Sequence, residues 1–137
     1  MNVQKLSELL SPEARTSLMR QDYSIKISLE FIKEREKRDI VGSVLTAQHD
    51  RQPCIMRFRR DLIRPLTERA SRALQELDMF LQITGAHTQS MLHLSSLDLP
   101  AGSIILLDNR RWLYARSIIK DPERHLRRVR WDPVPFQ

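Results

Sequence analysis

Hydrophobic and polar positions divide the chain into short alternating segments and one long helical stripe. Leu66, Ala70, Ala73, Leu74, Leu77 and Leu81 recur at spacings of three and four. That period predicts an amphipathic helix over 66–81 packed on a sheet, with Gly85 as its C-terminal cap. Tyr23, Ile25, Ile27 and Leu29 alternate with Ser24, Lys26 and Ser28, which predicts a half-buried strand. Upstream, Leu6 to Arg20 reads as one or two helical turns and a short helix. Ser11-Pro12-Glu13 marks a helix start: a cap residue, Pro at the first helical position and an acid near the positive end. Ile40–Thr46 and Cys54–Phe58 are the second and third strand candidates, separated by a turn over 48–53. Glu30–Arg38 is charged and fits either a loop or a short exposed helix.

Past the long helix, Met91–Leu97 reads as a strand and Pro100-Ala101-Gly102 as a turn. Ser103–Leu107 is a continuous apolar run, which predicts a strand buried on both faces and ended by Asp108-Asn109. Trp112-Leu113-Tyr114 follows. Leu126–Trp131 is a final strand candidate with Arg on one or both faces, and the Pro-containing tail over 132–136 cannot pair as a central strand. A strand-rich chain interrupted by one long helix implies an α+β fold, or a jelly roll with helical decoration.

At 137 residues the chain can form one core and one domain, spanning 1–137. Three glycines argue against a Gly-rich linker or a phosphate-cradling loop. No apolar run approaches the ~20 residues of a membrane span, and the N-terminal stretch has no apolar signal-peptide core. The single cysteine, Cys54, allows neither an internal disulfide nor a zinc cluster and reads as a core thiol. A reducing cytoplasmic location is the expectation.

The net charge of +6 is concentrated. Residues 110–130 hold eight Lys and Arg against Asp121 and Glu123, so that span alone carries +6. Such a segment reads as an anion site, a nucleic-acid patch or a solvated strand face. Arg outnumbers Lys there, which favours fixed carboxylate or phosphate geometry. The four histidines, His49, His87, His93 and His125, form neither H-E-x-x-H nor His-x-Asp/Glu. Gly-x-Ser-x-Gly and the phosphate loop are also lacking.

The segment from Leu99 to Arg116 contains Asp108-Asn109-Arg110-Arg111-Trp112-Leu113-Tyr114-Ala115-Arg116, and Arg124-His125-Leu126-Arg127-Arg128 follows. This resembles the C-terminal signature of the clavaminate synthase-like and taurine dioxygenase-like iron(II)/2-oxoglutarate oxygenases, whose pattern runs roughly D-N-R-R-x-x-H-x-R, then R-x-L-x-R. Leu10–Arg15, Tyr23, Ser43–Leu45, Met56–Phe58 and the helix at 66–81 fall in the order those enzymes show, so the resemblance covers most of the chain. It implies the C-terminal part of a double-stranded β-helix, a partial jelly roll with the long helix packed outside.

The departures bear on function. Tyr114 stands where the resemblance places the distal iron ligand, a His. The family's His-x-Asp/Glu pair would lie upstream of the residues matched here. In the arginine-hydroxylating branch an F-D-x-D motif helps hold a basic substrate; here it is Phe58-Arg59-Arg60-Asp61, which reverses one charge. By position, Arg124 matches the residue that clamps the 2-oxoglutarate carboxylate and Arg128 the next Arg on that strand face. These arginines are either a surviving carboxylate site or inherited strand-face salt bridges.

The resemblance thus implies a degenerate, non-catalytic relative acting by binding or complex formation, as an accessory to a biosynthetic pathway. Iron is not expected; 2-oxoglutarate or another small carboxylate is the candidate ligand. Open strand edges and an apolar face point to a homo-oligomer or a partner protein completing the fold. The rival readings are an oxygenase with partner-supplied iron ligands and a small basic nucleic-acid-binding protein using residues 110–130.

Overall fold

The computed structural model describes residues 1–27, 38–46, 54–84, 92, 94–95 and 97–114. The chain opens with two short helices, α1 (Val3–Leu9) and α2 (Pro12–Leu18). Each begins where its sequence caps it. The Asn2 side chain accepts hydrogen bonds from the Gln4 and Lys5 amides. The Ser11 hydroxyl accepts from the Ala14 amide at 3.1 Å, with Pro12 at the first helical position, as the start signal predicts.

Five short strands follow: β1 (Tyr23–Lys26), β2 (Asp39–Gly42), β3 (Leu45–Thr46), β4 (Ile55–Met56) and β5 (Ile63–Pro65). They form two antiparallel sheets, one in the order β2-β1-β5 and one pairing β3 with β4. Register sets Tyr23 against Gly42 and Pro65, and Ile25 against Ile40 and Ile63. Tyr23, Ile25 and Ile63 are buried, while Lys26, Val41 and Arg64 are exposed, so the predicted alternation holds on β1. Pro65 ends β5 on the edge of its sheet, where a missing amide hydrogen costs no ladder bond.

The long helix, α3 (Glu68–Thr84), packs on α2 and β5. Its stripe is buried as predicted at Ala70, Ala73, Leu74 and Leu77. Leu81 is half-buried against the same core. Leu66 is outside the helix and exposed. Its amide is taken by the Asp22 carbonyl at 2.9 Å, which holds the chain off the helix path, and Thr67 caps the first turn through the Ala70 amide. One core joins these elements: Val3, Leu6, Leu10, Ala14, Leu18, Tyr23, Val44, Leu45 and Met56 pack with the α3 stripe. Tyr23 is fully buried. Its hydroxyl lies 3.5 Å from that of Ser17, and burial pushes the phenol pKa up.

Three expectations are corrected. The single strand over 40–46 breaks at Ser43-Val44 into β2 and β3, which belong to different sheets. Val44 is fastened instead to α2 and the β4 side, its amide donating to Leu18 and its carbonyl accepting from Arg57. The strand over 91–97 is absent among the described residues there. The chain turns at 97–98, with Ser95 donating to Asp98 from both amide and hydroxyl and its carbonyl accepting from the Leu99 amide. The run Ser103–Leu107 is neither a strand nor buried: Ile104 is 87% and Leu106 81% exposed. No described strand lies beside it to take its backbone groups and cover its side chains.

The third strand shortens to Ile55–Met56, and Cys54 is half-buried beside Ser7, its thiol 3.7 Å from that hydroxyl. Residues 30–37 of the charged segment, the turn at 48–53, Gly85, the strand Leu126–Trp131 and the tail lie outside the described residues. Among the described residues, no helix is long and apolar enough to cross a membrane.

Candidate functional site

The segment Asp108–Tyr114, which carries the sequence motif, is docked by its backbone. Asp108 closes a turn: its carbonyl accepts from the Arg111 and Trp112 amides, and its carboxylate accepts from the Arg110 amide at 2.9 Å. The Arg111 guanidinium reaches the same carboxylate at 3.4 Å. The chain then runs between the N-terminus and β4. The Arg110 carbonyl accepts from the Met56 amide at 2.8 Å, and the Arg111 carbonyl from the Val3 amide at 2.9 Å. Asn2 bridges Trp112, and Met1 and Leu113 exchange a pair of hydrogen bonds at 2.7 and 2.9 Å. Leu113 consequently faces the core, while Trp112 and Tyr114 on either side of it are exposed. The alternation follows from strand-like pairing, which sends successive side chains to opposite faces.

Charge gathers beside this segment. Arg57 follows Met56, the residue hydrogen-bonded to Arg110, and both guanidinium side chains belong to half-buried residues. Burial, and after it the nearby charge of Arg110, pulls the Arg57 pKa down. The two guanidinium groups thus add to one another's positive potential beside the docked segment.

Around Phe58-Arg59-Arg60-Asp61 the charges are internally matched. Arg59 makes two hydrogen bonds of 3.1 Å to Asp61, and Arg60 reaches Asp78 of α3 at 2.6 Å. Asp61, the one acid of the F-D-x-D pattern retained here, is thus engaged by its own neighbour.

Tyr114, at the expected distal-ligand position, is 46% exposed. The described residues do not fit ferrous iron: the motif offers a phenol in place of an imidazole, close in sequence to the cations Arg110 and Arg111. Among the described residues no group of three or more His, Cys, Asp or Glu side chains gathers to hold a metal ion. All four histidines, and Arg124 and Arg128 of the expected carboxylate clamp, lie outside the described residues.

No family model matches the chain, and no curated protein matches it. Among solved structures, the chain is similar to an asparagine oxygenase in complex with Fe(II), 2S,3S-3-hydroxyasparagine and succinate. The match has 25% identity and a TM-score of 0.49, over 61% of this chain. This chain spans about 25% of the length of that protein.

Two open grooves run along the α2–α3 contact. One, of about 370 Å³, is lined by Ser11, Glu13, Arg69, Arg72 and Glu76; the other, of about 310 Å³, by Thr16, Arg20 and Arg69 among others. Several of their polar groups are committed to the fold. Glu76 accepts from the Ser11 amide at 2.6 Å and from its hydroxyl at 2.9 Å. Arg69 and Arg20 share Asp22 at 2.7 and 3.7 Å.

Sequence reasoning missed the proximity of Arg57 to Arg110. Separated by more than a third of the chain and lying on segments that pair only in the folded protein, the two leave no local signal. The D-N-R-R motif drew attention to Arg110; nothing in the sequence singled out Arg57.

Proposed function

We propose that this chain is a degenerate relative of the iron(II)/2-oxoglutarate oxygenases that acts by binding and complex formation rather than by iron-dependent turnover. The observation that carries the reading is the Asp108–Tyr114 motif itself. It keeps the D-N-R-R turn of the family signature, with Asp108 closing that turn through backbone hydrogen bonds, but has Tyr114 in place of the His. The 137 residues contain no His-x-Asp/Glu to supply the other two ligands. The β3–β4 pair, with Arg110 hydrogen-bonded to β4, is taken as part of an incomplete jelly roll. The ligand class is a small carboxylate, held by Arg124 and Arg128 through paired guanidinium hydrogen bonds.

Calorimetry with 2-oxoglutarate on the unaltered protein and on Arg124→Ala tests the ligand. Binding that is weakened at least tenfold by the substitution supports it. Equal binding, or none in either protein, removes these arginines from the site. Anaerobic iron(II) titration followed by succinate detection tests the chemistry. A phenol oxygen is a harder donor than an imidazole and favours ferric over ferrous iron, so Tyr114 is expected to recruit iron(II) poorly. Stoichiometric iron binding or succinate release would overturn the non-catalytic reading in favour of an oxygenase with ligands supplied by a partner.

A further inference from the structure

The stretch 92–107 exposes Leu92, Leu94, Leu97, Ile104, Ile105, Leu106 and Leu107. Their exposures run from 41% at Leu107 to 91% at Leu97. Seven large apolar side chains in one stretch present an area on the order of the ~800 Å² that each partner brings to a standard protein interface, and more than the few hundred Å² a monomer ordinarily leaves open.

The run at its centre, Ser103–Leu107, contains no charge and no proline. It is held at both ends. On one side the Ser103 amide donates to Pro100 through a turn in which Gly102 adopts φ +87°, a conformation side chains disfavour. On the other side the Asp108 turn fastens the chain to β4 and the N-terminus. Between these anchors, the backbone groups of 104–107 make no backbone hydrogen bond to another described segment.

We propose that Ser103–Leu107 is the seam of a homodimer, pairing antiparallel with the same run of a second copy across a two-fold axis. Self-pairing suits this run. A five-residue strand is of ordinary length, and a two-fold operation brings identical apolar faces together. The charge pattern selects the antiparallel sense. Asp98 precedes the run, and Asp108, Arg110 and Arg111 follow it with a net charge of +1. Centring the two-fold axis on Ile105, so that it lies opposite Ile105 of the second copy, sets Ser103 opposite Leu107 and Pro100 opposite Arg110 of that copy, bringing the end that carries Asp98 to the end that carries Arg110 and Arg111. Parallel pairing would place like ends together. Leu92, Leu94 and Leu97 then supply apolar cover for the paired strands. The inference does not depend on the carboxylate reading above.

Light scattering and sedimentation of the full chain across the micromolar range, with two kinds of variant, test the seam. Leu106→Lys is expected to weaken self-association at least tenfold while leaving helical circular dichroism, and the melting temperature measured below the dissociation constant, unchanged, because Leu106 is outside the core. In a Cys54→Ser background, Ile105→Cys is expected to form a disulfide-linked dimer under mild oxidation. Val41→Cys, comparably exposed but on the edge strand β2, is the control and should cross-link far more slowly.

A monomer at all concentrations overturns the proposal. So does a dimer indifferent to Leu106→Lys, or Ile105→Cys linking no faster than Val41→Cys. Hydrogen-exchange protection of 103–107 in a monomer would assign the cover to the chain's own later residues. Assembly only with a different co-purified protein would assign it to a foreign strand. Either result also overturns the homodimer.

Discussion

The same residue types meet opposite fates in two regions of this molecule. In residues 1–84, Leu6, Leu18, Leu45, Leu74 and Leu77 are at most 1% exposed. In residues 92–107, Leu92, Leu97 and Leu106 are at least 72% exposed. The difference lies in what stands opposite. The first region folds α3 back across α2 and β5, so each apolar stripe has a facing stripe. The second has a run as apolar as any core strand but no described strand beside it. Hydrophobic character sets the gain available from burial; a covering element decides whether that gain is realised. Leu113 marks the boundary: once the backbone of 110–113 pairs with the N-terminus and β4, the next apolar side chain turns inward.

Substitutions can break this contrast. The largest effect is expected at the α3 stripe. Leu77→Ala should destabilise by about 2–5 kcal/mol through lost transfer energy and a residual cavity, and Leu74→Ala comparably, measured by urea unfolding. The matched substitution Leu106→Ala should change monomer stability by less than about 0.5 kcal/mol. A comparable loss at both sites would show that the run is buried and the contrast unfounded.

Glu76→Ala comes next. Its carboxylate accepts two hydrogen bonds from Ser11 and so ties α3 to the start of α2. Removing it should cost about 1–3 kcal/mol, as expected for a hydrogen-bonded charged group. Glu76→Gln should recover part of the loss, since one amide oxygen can still accept. Equal losses from both substitutions would point to packing rather than hydrogen bonding.

A smaller effect is expected at Asp22, which joins Arg69 and Arg20 at the surface. Asp22→Asn should cost about 0.2–1 kcal/mol, less in high salt. A loss insensitive to salt would argue against an electrostatic origin.

The smallest effect sharpens the picture of the second region. Hydrogen bonds from the Ser95 hydroxyl and then its amide hold the Asp98 carboxyl below its ordinary pKa. A carboxyl lowered on folding stabilises its turn above the unfolded pKa, about 3.9. That contribution fades as pH falls through the lowered value. Protection of the Leu97 and Leu99 amides, taken relative to the intrinsic exchange rate at each pH, should therefore fall on acidification, while protection in the buried α3 core should first follow global stability. Protection at both leucines that does not change with pH would mean that the carboxylate does not hold the turn.

Where a signal acts within a few residues, it was legible in the sequence. Ser11-Pro12 begins α2 because a hydroxyl three residues before an amide can cap it whatever surrounds the helix. The three-and-four spacing over 70–77 put one face of α3 into the core, and Tyr23 and Ile25 alternated onto the buried face of β1. Of the candidate site, Asp108 to Tyr114 was legible as a motif, but its attachment to Met1–Val3 and Met56 was not. These are backbone pairings between distant segments, and any residue but proline can donate an amide hydrogen.

Tertiary structure alone decided that the run from Ile40 to Thr46 changes sheets at Ser43-Val44, that Leu66 stays outside the helix, that Arg57 meets Arg110 and that Ile104–Leu107 is exposed. The sequence by itself determined which segments could be helices or strands and which faces sought cover. A local pattern records the preference of a segment; pairing and burial depend on which distant segment arrives beside it, and that is a property of the whole chain's packing.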